Sequence, residues 1–174
     1  MKITFTKFTT PTPEIATKLS EWENDPALIP FIRPNPTEED LEKRETLTLE
    51  SLQQRLNYSQ MFLIYLNDKL VGEMSFQLDP PHLYKNELGT AWIGINIGEE
   101  SARGRGIGVQ AMQYLEVNVR DQGLKRIELG VFEFNTRAIR LYKKMGYQEI
   151  GIIKDFTCYQ GRMWGDIRME KYLT

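Results

Sequence analysis

From Arg103 the chain reads R-G-R-G-I-G and runs straight into an amphipathic stretch. Glycines lack a Cβ, so the N–H groups of Gly104, Gly106 and Gly108 and their neighbours can converge on an anion. A helix beginning near Ile107 would add its positive end. Arg103 and Arg105 bring charge to the rim of such a cup. Several charge-assisted amide–phosphate bonds, each worth about 1.5–3 kcal/mol, would anchor a pyrophosphate. The plainer reading is a glycine-rich turn with solvated arginines. A P-loop is excluded because no lysine follows the glycines. The spacing G-x-G-x-G also differs from the G-x-G-x-x-G of dinucleotide folds. Glu128 nevertheless stands where such a fold keeps its ribose-binding acid, so a nucleotide-binding oxidoreductase stays as a lesser alternative.

Chemistry at this loop depends on the elements around it. "KITFTKF" alternates as a strand, and "TPEIATKLSEWEN" reads as a helix with Thr12 as N-cap and Pro13 at its first position. "DPALIPFIRPNPTEED" holds four prolines and reads as a loop, followed by a short amphipathic helix, "LTLESLQQRLN". "QMFLIYLNDKLVGEMSFQL" is a hairpin turning at Asn67–Asp68, and "LGTAWIGINIG" is a strand apolar on both faces. Ile107, Ala111, Leu115 and Val119 recur every four residues, which predicts a helix ending near Gly123. "KRIELGVF" is a strand. "NTRAIRLYKKMGY" is a helix with Asn135 as N-cap and Gly146 as its stop. "YQEIGIIKDF" and "RMWGDIRMEKYL" are strands around a turn at "YQG". The order β-α-α-β-β-β-α-β-α-β-β predicts an α/β (α+β) fold: a mixed, mostly antiparallel sheet of about seven strands with about four helices packed on it.

The 174 residues suit one domain spanning 1–174. With 41% apolar and 26% charged residues and a net charge of −2, nothing favours nucleic acid as a partner. No apolar run approaches a membrane span, and the N-terminus lacks the apolar centre of a signal peptide. The lone Cys158 excludes an internal disulfide and suits a cytoplasmic location, while a single histidine, His82, cannot build a histidine metal site.

The two chemical segments resemble a known family. R-G-R-G-I-G matches the [QR]-x-x-G-x-[GA] signature of the Gcn5-related N-acetyltransferases. "NTRAIRLYKKMGY" is similar to the family's N-x-x-A-x-x-x-Y-x-x-x-G-[FY] helix, and the two follow in the family's order. The closing "YQGRMWGDIRMEKYL" is similar to the branch holding ribosomal-protein N-terminal and polyamine acetyltransferases. The resemblance implies acetyl-CoA as donor substrate and no metal. Its pyrophosphate would lie on the amides of Arg103, Gly104, Arg105, Gly106, Ile107, Gly108 and Val109. Its pantetheine arm would pair with Asn96, Ile97 and Gly98 like an added strand. Asn135 would contact the cofactor as well as capping its helix, and Tyr142 would stand beside the thioester sulfur rather than serving only as core. The acceptor implied is a small amine or a peptide N-terminus, and the family's habit of pairing copies points to a homodimer. A non-catalytic acyl-CoA sensor on the same fold is the alternative.

The implied reaction is direct attack of an amine on the thioester, with Tyr142 as the donor to the leaving thiolate. The amine must first lose its proton, at a cost of about 4.6 kcal/mol at pH 7 for a lysine-like pKa but only about 1.4 for an α-amine near 8. Some members carry a base glutamate five residues before the motif asparagine, where this chain has Gly130. Glu73, Glu99 and Glu128 are the remaining candidates for the base, a water chain without a dedicated base is another route, and the sequence does not choose among them. The acidic, proline-rich segment from Asp25 to Glu50 is either a solvated loop or the border of an acceptor cleft that attracts a cation.

Overall fold

Left-handed backbone at Asn67 and Asp68 (φ 48° and 67°) closes the hairpin between β2 (Gln60–Leu66) and β3 (Lys69–Leu78). Gln160 and Gly161 (φ 51° and 74°) do the same between β6 (Gln148–Tyr159) and β7 (Arg162–Tyr172). Two consecutive residues of positive φ match the right-handed twist of the strands they join, which is why both turns need only two residues. With β1 (Ile3–Phe8), β4 (Thr90–Ile97) and β5 (Arg126–Phe132), these strands form one seven-stranded sheet in the order β1-β2-β3-β4-β5-β7-β6. The computed structural model describes residues 1–174.

Every neighbouring pair is antiparallel except β4 and β5. Those two run parallel and stay in register only over Thr90–Arg126, Ala91–Ile127 and Trp92–Glu128. Beyond Trp92 they part. From Ile93 to Ile97, β4 has β3 on one side and no strand on the other, so alternate peptide groups of that stretch face an opening in the sheet.

One face of the sheet carries Phe62, Ile64, Met74, Phe76, Ile127 and Leu129, covered by α4 (Ile107–Asp121), whose Ile107, Ala111, Leu115 and Val119 are all at most 2% exposed. The expected period of four is thus the buried stripe. The other face carries Phe8, Met61 and Leu63, covered by Leu19 and Trp22 of α1 (Pro13–Glu23) and Leu52 of α3 (Leu49–Tyr58). Thr12 caps α1 by accepting from the Ile15 amide at 3.3 Å, and α3 starts at a Thr48–Ser51 capping box rather than at Leu47.

Five helices are present instead of four. The extra one, α2 (Ile29–Ile32), is a single turn inside the proline-rich segment read as loop. Leu28 and Ile29 amides both donate to the Asp25 carbonyl at 2.9 Å, which winds the chain before Pro34 and Pro36 straighten it. The last helix, α5 (Thr136–Lys144), is stopped by Gly146 at φ 94°.

Candidate functional site

The opening between β4 and β5 leads into a cavity of about 650 Å³ that reaches both faces of the sheet. Asn96 of β4, Glu73 of β3, Gly130 of β5, Asn135 at the N-cap of α5, and Ala138 and Tyr142 within α5 all line it. The split therefore gathers Glu73, Asn96, Asn135 and Tyr142, four of the residues singled out from sequence, around one space.

At the N-terminus of α4 the backbone turns left-handed at Gly104 and Gly106 (φ 73° and 77°). Gly106 is the N-cap and offers no side chain, so the helix start is uncapped. No group of the chain accepts from the N–H groups of Gly104, Arg105, Gly106, Ile107, Gly108 or Val109. Six free amides gathered at a helix N-terminus are the donors an anion would need. Arg105 is exposed beside it. Arg137, which the sequence did not single out, places Nη2 3.0 Å from where a Cβ on Gly104 would sit, so a second guanidinium borders the loop. Its signal was its place in the first turn of α5, two residues after Asn135.

Arg103 departs from expectation on two counts. Its amide is not free: it donates to the Glu100 carbonyl at 3.1 Å, closing a 3-10 turn. Its guanidinium turns inward, donating from Nε to the Ile97 carbonyl at 3.0 Å and from Nη2 to the Gly98 carbonyl at 2.9 Å. Arg103 thus braces the end of β4 instead of charging the rim. Gly98 is also held by packing, since a Cβ there would overlap the Trp22 indole. Asn135 caps α5, accepting from the Ala138 amide at 3.3 Å, while its side chain also borders the cavity. The Tyr142 hydroxyl has no hydrogen-bond partner in the chain, and burial pushes its phenol up to about 12.

The three glutamates meet different fates. Glu99 accepts from Trp22 Nε1 at 3.1 Å and pairs with Lys18 at 2.6 Å and Lys69 at 3.2 Å. The Lys18 hydrogen bond, with Trp22 next, holds its carboxyl down near 2, a poor value for a base at neutral pH. Glu128 is fully buried and accepts from Arg126 at 2.7 Å and from the Tyr84 and Lys85 amides at 2.7 and 3.2 Å. Arg168 approaches it at 3.4 Å. Its oxygens are taken by a network that continues through Arg126 to Glu170 and through Arg168 to Asp166. Glu73 faces the cavity with no donor on it. Burial, with the nearby Glu23 charge, raises its carboxyl to about 7 against the opposing pull of Arg55.

Gly130 has its own reason. A Cβ there would sit 2.6 Å from Asp166 Oδ2 and 3.0 Å from the Trp92 ring. The space a side chain would take is filled by the β7 carboxylate and the β4 indole. The segment from Asp25 to Glu50 does border the cavity, but with Phe31, Ile32, Arg33 and Pro34 instead of its acids. Asp40 is spent on Lys43 and Thr37.

A model of the acetyltransferase (GNAT) family matches residues 17–147. The chain belongs to this family. Among curated relatives of this GNAT chain, the spermine/spermidine N(1)-acetyltransferase of Bacillus subtilis (strain 168) is 33% identical over 86 residues, 49% of this chain and 57% of that protein. The chain thus spans little more than half the length of that relative. The uncharacterized N-acetyltransferase p20 of Bacillus licheniformis is 25% identical over 157 residues, 86% of this chain and 83% of that protein. Among solved structures, spermidine N-acetyltransferase from Vibrio cholerae in complex with CoA and spermine superposes with a TM-score of 0.73. It is 17% identical, with 98% of this chain and 95% of that one covered. YncA from Salmonella typhimurium, solved with its cofactor acetyl-CoA, gives the same TM-score at 17% identity, covering 99% of this chain and 94% of that one. At such identities these two likenesses concern the fold, and they agree with the split seven-stranded GNAT sheet seen here.

Proposed function

We propose that this protein is an acetyl-CoA-dependent N-acetyltransferase that moves the acetyl group to a primary amine, a small amine or a peptide N-terminus, by direct attack. The observation that carries this reading is the meeting, in one cavity at the sheet opening, of an unpaired glutamate and an unpartnered tyrosine hydroxyl. The relatives named above support the donor and the class of reaction. Acetyl-CoA supplies an activated acyl carbon and a sulfur leaving group.

Each part of the chain has a task the physics allows. The six free amides from Gly104 to Val109, with Arg105 and Arg137 beside them, fit a diphosphate. The free edge of β4 from Ile93 to Ile97 fits an extended amide-containing arm as an added strand, with Ile97 and Gly98 carbonyls already engaged by Arg103. Glu73 takes the proton from the acceptor. A carboxyl near 7 is about half ionised at neutral pH, so it combines a populated base form with real proton affinity. Tyr142 stays protonated and donates a hydrogen bond to the departing sulfur. A phenol near 12 does not surrender its proton to a thiolate whose own pKa is about 8.5. Glu99 and Glu128 serve as structural anions.

The test is release of free thiol from acetyl-CoA across a panel of amines, beside calorimetric binding of acetyl-CoA. Acceptor-dependent release that Tyr142→Phe lowers about tenfold, with acetyl-CoA affinity kept, is the expected result. Binding without release for any amine would instead make the protein an acyl-CoA-binding module.

A further inference from the structure

We infer that the acceptor is a monocationic α-amine flanked by a bulky apolar, preferably aromatic, group, and not a polyamine; this rests on the acetyl-transfer reading above. Three acids line the cavity: Glu23, Glu73 and Asp166. Glu23 is held by both terminal nitrogens of Arg55, at 2.7 and 3.1 Å. Asp166 is held by Arg168 Nε at 2.9 Å. Both arginines line the same cavity, so these charges cancel in place. Arg33, the third arginine of the lining, bonds only the Asn35 side chain and the Asp40 and Lys43 carbonyls and so adds a cation, not an anion. Glu73 alone has no cation bonded to it. One uncompensated carboxylate accommodates one ammonium, and a second or third ammonium of a polyamine would be desolvated without an anion to meet it.

Aromatic faces do not make up the deficit. Trp92 offers the best such face, and the Arg168 guanidinium already lies 4.7 Å from its centroid. Phe132 packs tilted on Phe156 with centroids 6.1 Å apart, and Phe31 packs edge-on against Phe134 at 5.4 Å.

What these rings do offer is an apolar wall. Phe31 and Ile32 of α2, Phe132 of β5 and Phe156 of β6 converge on the cavity from three separate elements. Phe132 is 8% exposed, whereas Phe31 remains 40% exposed, surface that an apolar ligand group would cover. An amine at Glu73 with an aromatic substituent on its own carbon uses both features together. An α-amine also costs the least to deprotonate, which suits a carboxylate acting as the base. The same chemistry occurs in a free amino-acid amide and in the first residue of a peptide.

The decisive experiment compares phenylalaninamide, a tetrapeptide beginning with phenylalanine, glycinamide and spermidine as acceptors, with acetyl-CoA affinity measured in parallel. A kcat/KM at least about tenfold higher for a phenylalanine-bearing acceptor than for spermidine is expected, and the better of those two acceptors identifies the source. Phe132→Ala should cut the preference for phenylalaninamide over glycinamide about tenfold. Phe31→Ala, at a ring that is 40% exposed and so costs the fold less than Phe132, should move it the same way. Spermidine as the equal or better acceptor, or an unmoved preference in both variants, overturns the inference while leaving acetyl transfer intact. Failure to bind acetyl-CoA removes the acetyl-transfer reading and this one with it.

Discussion

Glu128 and Glu73 point to the same face of one sheet, through the register that aligns Trp92 with Glu128 and Asn96 with Glu73. Both are carboxylates drawn out of bulk water, yet they are different chemical objects. Glu128 sits at the stretch where β4 and β5 are still paired. There, Arg126, Arg168 and two loop amides saturate it. Glu73 sits at the level where the strands have parted, and nothing donates to it. The contrast teaches that burial alone does not decide whether an acid is structure or chemistry; the donors around it do. Loss of water penalises an ionised carboxyl, and fixed cations and N–H groups are what favour it.

The sharpest way to break this comparison is to empty the saturated site. Glu128→Ala leaves Arg126 and Arg168 buried without their shared anion, and an unfolding free energy about 3–5 kcal/mol lower is expected in urea titration. A loss under about 1 kcal/mol would show that the network does not carry the fold at this junction.

Glu73→Gln should do the opposite. Turnover should fall about a hundredfold or more, with the fold unharmed. The sign of its pH dependence follows from the raised carboxyl, about 7 in the folded chain against an ordinary 4.5. Protonation favours the folded state, so the wild-type protein is most favoured below about pH 4.5 and loses that contribution as pH climbs to 7. Melting curves should therefore show the glutamine variant gaining on the wild type between pH 5 and pH 8. Activity of the wild type should fall as pH drops through 7, and the variant should lack that limb. Equal melting differences at both pH values would mean that Glu73 is solvated as an ordinary surface acid.

The sheet and its helices were legible because their signals are local. A stripe from Ile107 to Val119, a turn at Asn67–Asp68 and caps at Thr12 and Asn135 each act within a few residues. The one-turn α2 escaped because four residues are too few to show a period. The run of free amides was legible as glycines before a helix, but the inward turn of Arg103 was not, since it depends on carbonyls at the end of another element. The glutamates were illegible for the same reason. What distinguishes Glu128 from Glu73 is supplied by Arg168 and by the loop amides of Tyr84 and Lys85, each forty or more positions away in the chain. The aromatic wall likewise assembles Phe31, Phe132 and Phe156 from elements that share no local pattern.

The smallest expected effect concerns the two glycines that flank the segment proposed to hold the cofactor, because they are glycines for different reasons. At Gly106 an added Cβ meets nothing within 4 Å, so packing is indifferent and only the positive φ resists, at about 1–2 kcal/mol for alanine. The methyl would add bulk at the left-handed N-cap, in the middle of the run of free amides. Gly106→Ala should therefore weaken acetyl-CoA binding about tenfold while lowering the melting temperature only a few degrees. At Gly98 the order reverses. A methyl must displace the Trp22 indole, which is 4% exposed, so stability should suffer more than affinity. Measuring both quantities for both variants separates a glycine kept for its backbone from one kept for its neighbour. Parallel losses in the two would mean that the loop before α4 and the end of β4 yield as one unit, braced together by Arg103.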